Sequence, residues 1–98
     1  MKFASFGHKG LKALYCDDSS RGIPPAMLGK IRRLLTAMEA ARGLDDLKVF
    51  PGWRLHPLQG DLVDYWSLTI TGNWRIVFRY DEDENIASKV DLLDYHGS

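Results

Sequence analysis

The chain has 98 residues, of which 45% are hydrophobic, so we expect one folded domain over residues 1–98 with a single core. One cysteine excludes an internal disulfide, no apolar run reaches membrane-spanning length, and no signal peptide is recognisable; these features predict a cytoplasmic protein without membrane contact. The formal charge is zero, but residues 1–80 carry +5 (twelve bases, seven acids) and residues 81–98 carry −5 (one base, six acids). The basic part permits a polyanionic partner.

The N-terminal half predicts one strand and two helices. "KFASF" has the composition of a short strand, and Leu11, Leu14 and Tyr15 recur at helical spacing, which predicts a helix over about residues 8–15. A second helix is expected to begin at the proline pair of residues 24–25 and to stop at Gly43. Its apolar face consists of Met27, Ile31, Leu34, Leu35, Met38 and Ala41.

The apolar period changes after "LDDLKVFPG", a segment to which we assign no element. "YWSLTIT" and "WRIVFRY" alternate on either side of a turn at residues 71–73, and "IASKVDLLDY" follows the turn "DEDEN" as a last strand. The pattern predicts an α+β fold, with an N-terminal strand and two helices packed on an antiparallel β-sheet meander. The face expected to meet the helices carries Trp66, Leu68, Ile70, Trp74, Ile76 and Phe78.

The opposite face of the meander is a candidate binding surface. Alternation gives it Tyr65, Ser67, Thr69, Arg75 and Arg79. Guanidinium groups bind phosphate oxygens well, so two arginines on one surface favour a phosphate held between them. The alternative is the ordinary solvated face of an antiparallel sheet.

Two histidines are candidates for proton transfer. His56 lies in the strand-like segment "GWRLHPLQGD", where a lone histidine is usually a surface residue. Asp94 and His96 are two positions apart and so share a face in a strand, where the carboxylate would raise the pKa of the imidazole and fix its tautomer. These three residues also suit zinc, but no further ligand follows at a zinc spacing, so we expect neither a metal nor another cofactor.

Four segments in this order resemble the HigB-type toxins (plasmid maintenance killer proteins) of the RelE/ParE superfamily: "SFGHKGLKALY", "WRLHPLQGDL", "YWSLTITGNWRIVFRY" and the terminal "DYH". The resemblance runs over nearly the whole chain. It implies a RelE/ParE-like fold and a type II toxin that cuts messenger RNA on the ribosome by metal-independent attack of the ribose 2′-hydroxyl. The implied partners are the ribosome, messenger RNA and a helix-turn-helix antitoxin of the HigA type, through which the complex binds its own operator DNA.

The resemblance also assigns roles to individual residues. It implies an acid–base pair of histidines, an arginine on the phosphate, a supporting carboxylate and a stacking tyrosine, at His56, His96, Arg75, Asp94 and Tyr95. The implied RNA contacts are Arg54, Gln59, Asn73 and Arg79. Gln59 stands where the family commonly has lysine, which predicts either slow cleavage or a charge supplied by Arg54 or Arg79 instead.

Two other functions fit parts of the pattern. A ParE-like protein poisons DNA gyrase by binding and needs no pair of histidines near an arginine. A catalytically weak RNA-binding or ribosome-binding module would tolerate the uncharged Gln59. The presence of His56 and of the terminal Asp-Tyr-His favours the nuclease.

Overall fold

The computed structural model describes residues 1–94, which form a five-stranded sheet with helices on one face. The first half contains β1 (Lys2–Phe3), α1 (Lys9–Asp17), α2 (Pro25–Ala40) and α3 (Asp45–Lys48). The second half contains β2 (His56–Pro57), β3 (Tyr65–Thr69), β4 (Trp74–Asp81) and β5 (Ile86–Asp94). Two 3₁₀ turns, Pro51–Trp53 and Gly60–Leu62, lie on either side of β2. The predicted α+β class is confirmed.

The sheet has the order β1-β5-β4-β3-β2. Strands β2 to β5 are antiparallel neighbours, which confirms the predicted meander of β3 to β5, but β1 pairs with β5 in parallel and makes the sheet mixed. The amides of Ala4 and Gly7 donate to the carbonyls of Ala87 and Val90 at 2.8 Å each. The N-terminal strand therefore covers the outer edge of β5 within the sheet.

Local hydrogen bonds set the helix boundaries. Helix α1 begins after His8, whose Nδ1 accepts from the Leu11 amide at 3.2 Å. Helix α2 ends three residues before Gly43, the predicted stop. The backbone turns away there because the extended Ala41 offers its carbonyl to Asn85 Nδ2 at 3.1 Å, and the Arg42 amide donates to the Asp46 carboxylate at 2.8 Å. No helix within residues 1–94 has the length and apolar character needed to cross a membrane.

The segment "LDDLKVFPG" forms structure that the sequence pattern missed. It contains α3 and leads into the first 3₁₀ turn. Acids in the first turn of α3 and a lysine at its end favour a helix, and Leu47 anchors it in the core with 0% exposure. One turn is too short to show a helical period.

The core lies between α1, α2 and one face of the sheet. Leu68, Ile76 and Phe78 are fully buried beneath the helices, so the predicted inner face is confirmed. The register confirms that Ser67 faces away from the helices, but the alternative of a solvated face does not hold at this position, because Ser67 is 0% exposed and its neighbour Val77 is 2% exposed. Both residues lie in the middle of the sheet, on strands that are paired on both sides.

Candidate functional site

The strand register arranges the side chains on the face away from the helices, here called the open face, in three rows. The central row consists of His56, Ser67, Val77 and Asp91. The rows on either side consist of Tyr65, Arg79 and Ser88, and of Thr69, Arg75 and Leu93. The centre of this face is buried and its rim carries the charged groups, so a ligand would meet the chemistry at the rim.

His56 stands exposed on the edge strand β2. Its Nδ1 lies 2.7 Å from the carbonyl oxygen of Arg54, a residue in the left-handed conformation (φ 48°) at the end of the first 3₁₀ turn. A carbonyl only accepts hydrogen bonds, so Nδ1 carries the hydrogen. Nε2 is therefore the nitrogen of His56 that can take up or release a proton toward a ligand.

Arg54 and Gln59 lie on the same edge segment as His56. Both are exposed, Arg54 two residues before β2 and Gln59 two residues after it. The amide of Leu58 donates to the Tyr65 carbonyl at 2.9 Å and ties this segment to β3. The segment thus presents one imidazole, one cation and one neutral amide at the edge of the open face.

Arg75 is half-buried at the turn between β3 and β4. Its Nη1 donates to the carbonyls of Thr71, Gly72 and Trp74 at 2.9, 3.2 and 3.2 Å. The guanidinium therefore stabilises the turn that carries the exposed Asn73. The two residues predicted from the "NWR" motif are structurally coupled.

Arg79 points to the other end of β4. It is exposed, and its Nη2 lies 3.8 Å from the Asp64 carboxylate. Arg75 and Arg79 are four residues apart, about 13 Å along a strand, and their guanidinium groups are engaged at opposite ends. The expectation that one phosphate lies between these arginines is therefore wrong.

Asp94 is the one member of the predicted terminal triad within the described residues. It pairs with Trp74, in the row of side chains that runs past the buried Leu92 on the helix side. Arg75 pairs instead with Leu93 and lies on the other side of the pleat. The register does not bring Asp94 and Arg75 onto one face. Tyr95 and His96 lie outside the described residues.

His56 and Arg75 lie two strand spacings and two residues apart, about 12 Å between Cα atoms. A ligand that contacts both side chains must cross the buried centre of the open face. Across residues 1–94, no three His, Cys, Asp or Glu side chains cluster in a way that would hold a metal ion.

Asp91 is a residue of the open face that was not singled out from the sequence. Asp91 shares the central row with His56, and its Oδ1 accepts from the Leu92 amide at 2.7 Å. Tyr65, which alternation had assigned to this face, is half-buried in the neighbouring row. Because Val90 and Leu92 are buried, alternation along β5 places Asp91 on the open face. The sequence pattern instead drew attention to Asp94, the acid nearest to His96 in the sequence.

Tyr15, a titratable group with a perturbed pKa, lies in the helix layer. The Tyr15 hydroxyl donates to the Glu39 carboxylate, and this hydrogen bond, with partial burial, raises the pKa of Tyr15 to about 12. The ring also contacts Phe3 and Phe6, at centroid distances of 4.7 and 5.7 Å. This group joins α1 to α2 and belongs to the scaffold.

Comparison with known proteins gives concordant sequence matches. The HigB-like toxin family, described as the RelE-like toxin of type II toxin–antitoxin system HigB, matches residues 4–96. The chain is 37% identical over 92 residues to the Endoribonuclease HigB of Proteus vulgaris, covering 94% of this chain and 97% of that protein. It is 32% identical over 91 residues to Toxin HigB-1 of Vibrio cholerae serotype O1, covering 92% and 96% respectively.

Solved structures that share the fold include two bacterial proteins. YafQ from E. coli BL21(DE3) superposes with a TM-score of 0.61 at 14% identity, covering 95% of this chain and 91% of YafQ. A YoeB/ParE toxin from Agrobacterium tumefaciens superposes with a TM-score of 0.56 at 22% identity, covering 98% and 99% respectively. At these identities the likeness concerns the fold alone, and it confirms the predicted architecture.

Proposed function

Because this chain belongs to the HigB-like family of RelE-like toxins of type II toxin–antitoxin systems, we propose that it is an endoribonuclease that cuts messenger RNA on the ribosome without a metal ion. The name of the Proteus vulgaris relative supports the reaction class. The observation that carries the proposal is the hydrogen bond from His56 Nδ1 to the Arg54 carbonyl. It leaves Nε2 of an exposed imidazole as the proton-exchanging atom.

The proposed reaction is a transesterification within the RNA. One imidazole takes the proton of a ribose 2′-hydroxyl as that oxygen attacks the adjacent phosphorus. A second imidazole gives a proton to the leaving 5′-oxygen, and the products carry a 2′,3′-cyclic phosphate and a 5′-hydroxyl. We assign these transfers to His56 and His96, each worth about 10²–10⁴-fold in rate.

Cations around the open face would stabilise the charge of the pentavalent phosphorus. Arg54 approaches from the segment of His56, and Arg75 acts from the far turn while it holds the loop of Asn73. Arg79 stands apart from both and would contact a neighbouring phosphate. From the family resemblance, Asp94 would support a histidine and Tyr95 would stack on a splayed base.

A type II toxin has an antitoxin partner. We propose that this partner is a helix-turn-helix protein of the HigA type and that the complex binds its own operator DNA through it. Since the proposed substrate is a message on the ribosome, we also propose that the toxin acts in the cytoplasm.

The test is cleavage of a translated message on purified ribosomes, mapped by primer extension. We expect wild-type cuts with 2′,3′-cyclic phosphate ends. This cleavage should survive EDTA in a ribosome-free minimal assay, or persist at magnesium just sufficient to keep the ribosomes assembled. His56→Ala and His96→Ala should abolish cleavage. The control is His8→Ala, which removes the cap of α1 and should cleave at the wild-type rate as long as the protein is folded. Wild-type cleavage by both variants, or strict dependence on added zinc, contradicts the mechanism.

A modified RNA distinguishes the two histidines. Sulfur in place of the bridging 5′-oxygen leaves without protonation, so this substrate should restore the variant that lacks the acid and not the variant that lacks the base. Inhibition of gyrase supercoiling without any RNA cleavage would instead establish the ParE-like alternative.

A further inference from the structure

A groove of about 480 Å³ runs along the outer side of α2, in the helix layer. One wall is the α2 surface formed by Arg33, Thr36, Ala37 and Ala40, with Arg32 at the same end as Arg33. The other wall is formed by Phe50 and Trp53, whose rings stack at a centroid distance of 4.0 Å and an interplanar angle of 23°. We call this surface the α2 groove.

The α2 groove borders the core, because Ala37 and Trp53 are half-buried and pack against it, but its other main lining residues, Arg33, Thr36, Ala40 and Phe50, are exposed. Helix α2 commits its inner face to the core through Ile31, Leu34, Leu35 and Met38. Positions 33, 36, 37 and 40 repeat at helical spacing and form a second stripe on the outer face. The alanines of this stripe let another backbone approach closely, and Phe50 remains 38% exposed beside Val49 at 70%. Clustered exposed apolar side chains of this kind mark interaction surfaces.

The charges at the groove favour an acidic, amphipathic occupant. Arg32 bonds to the Asp18 carboxylate, whereas Arg33 forms no ion pair within residues 1–94. A helix with apolar side chains on one face would fill the space between the two walls. A carboxylate one turn further along that helix would pair with Arg33. RNA fits less well, because each aromatic ring already has one face covered by the other and the remaining lining is largely apolar.

We propose that the α2 groove is the docking site of the antitoxin, which inserts an amphipathic segment between Ala37 and Ala40 on one side and Phe50 and Trp53 on the other, with a carboxylate against Arg33. The proposal rests on the toxin–antitoxin part of the proposed function and is independent of the nuclease mechanism. It locates the partner on the helix layer, whereas the proposed chemistry lies at the open face.

The test measures binding of the antitoxin encoded beside this chain's gene to the full-length toxin, by calorimetry or biolayer interferometry. Two matched pairs of variants on α2 isolate the groove. Arg33→Glu reverses a charge at the groove and Lys30→Glu makes the same change on the same helix outside its lining. Ala40→Gln fills the groove, and Ala26→Gln enlarges another exposed alanine of α2.

We expect Arg33→Glu and Ala40→Gln to raise the dissociation constant about tenfold or more, and both controls to stay within about threefold of wild type. All four toxins should show wild-type melting temperatures and cleave message equally without antitoxin. In cells, the groove variants should inhibit growth despite co-expressed antitoxin.

Wild-type antitoxin affinity in both groove variants overturns the proposal. So does a loss of ribosome binding with antitoxin affinity intact, which would make the groove an RNA or ribosome contact. If no protein in the series cleaves RNA but the groove variants alone lose the antitoxin, the nuclease assignment fails while the docking site stands.

Discussion

The two faces of the sheet use the same strands for opposite purposes. On the helix side, Leu68, Ile76 and Phe78 are completely buried and their shapes must fit those of the helices. On the open face, buried Ser67 and Val77 are compact, and the chemically active groups such as His56 stand at the rim. Alternate residues of one strand are therefore subject to different constraints, packing on the helix side and chemistry at the rim of the open face.

This difference separates stability from chemistry. Burial of large apolar side chains supplies most of the favourable free energy of folding, so the helix side holds the strands in register. The exposed rim contributes little to that free energy, and its residues can suit a substrate. Substitutions on the two faces should consequently change different measured quantities.

The largest expected effect comes from neighbouring residues on β4. Phe78→Ala should lower the free energy of unfolding by about 3–5 kcal/mol, because it leaves a cavity in the core. Arg79→Ala should change it by less than about 0.5 kcal/mol, since the ion pair with Asp64 is exposed. Urea denaturation measures both. Equal losses for the two variants would mean that the open face is as important for packing as the helix face.

The second prediction compares two histidines. His56→Ala should lower kcat about 10²–10⁴-fold with little change in stability, because the side chain is exposed and its proposed work is proton transfer. His8→Ala should leave cleavage intact but cost about 0.5–2 kcal/mol of unfolding free energy, because it removes the cap of α1. Single-turnover cleavage and thermal melting give the two readouts. The division between faces fails if the two histidines exchange these phenotypes.

The helix side was predictable because alternation in one strand suffices to identify it. Trp66, Leu68 and Ile70 show their face without reference to any other strand. Helix α3 escaped prediction because four residues carry no period, and the end of α2 depends on Asn85, which is distant in the sequence.

The candidate site was less predictable because it depends on register and local backbone. The position of Asp94 follows from its pairing with Trp74 and not from its nearness to a histidine in the sequence. The contact that selects the His56 tautomer requires Arg54 to adopt the left-handed backbone conformation. Glycine and asparagine favour this conformation, so an arginine at this position gives no sequence signal for it. The burial of Ser67 could not be predicted from the alternation of β3, which only places it on the face away from the helices.

The third prediction concerns the uncharged Gln59 at the rim. Gln59 is exposed in an extended conformation, so Gln59→Lys fits without strain and should raise kcat by up to about a hundredfold if a cation is missing there. Gln59→Leu serves as the uncharged control. If Arg54 or Arg79 already supplies the charge, Gln59→Lys will do nothing and Arg54→Ala or Arg79→Ala will slow cleavage. A neutral Gln59→Lys together with two harmless arginine substitutions would contradict this account of charge stabilisation.

The smallest expected effect tests whether the buried centre of the open face contributes to packing alone or also to catalysis. Ser67 lies between His56 and Val77, and within residues 1–94 its buried Oγ has no hydrogen-bond partner. An unsatisfied buried hydroxyl is costly, so Ser67→Ala should raise the free energy of unfolding by about 1 kcal/mol or less and leave cleavage within about twofold of wild type.

Ser67→Val is the matched control for volume. It adds methyl groups to a position with 0% exposure and should cost about 1–3 kcal/mol by overpacking, again without a specific effect on chemistry. Thermal melting and single-turnover cleavage separate the two contributions. If Ser67→Ala instead lowers kcat in a fully folded protein, the hydroxyl bonds the RNA or a residue beyond 94. The catalytic surface then extends from the rim across β3, and the separation of packing from chemistry holds for the helix face alone.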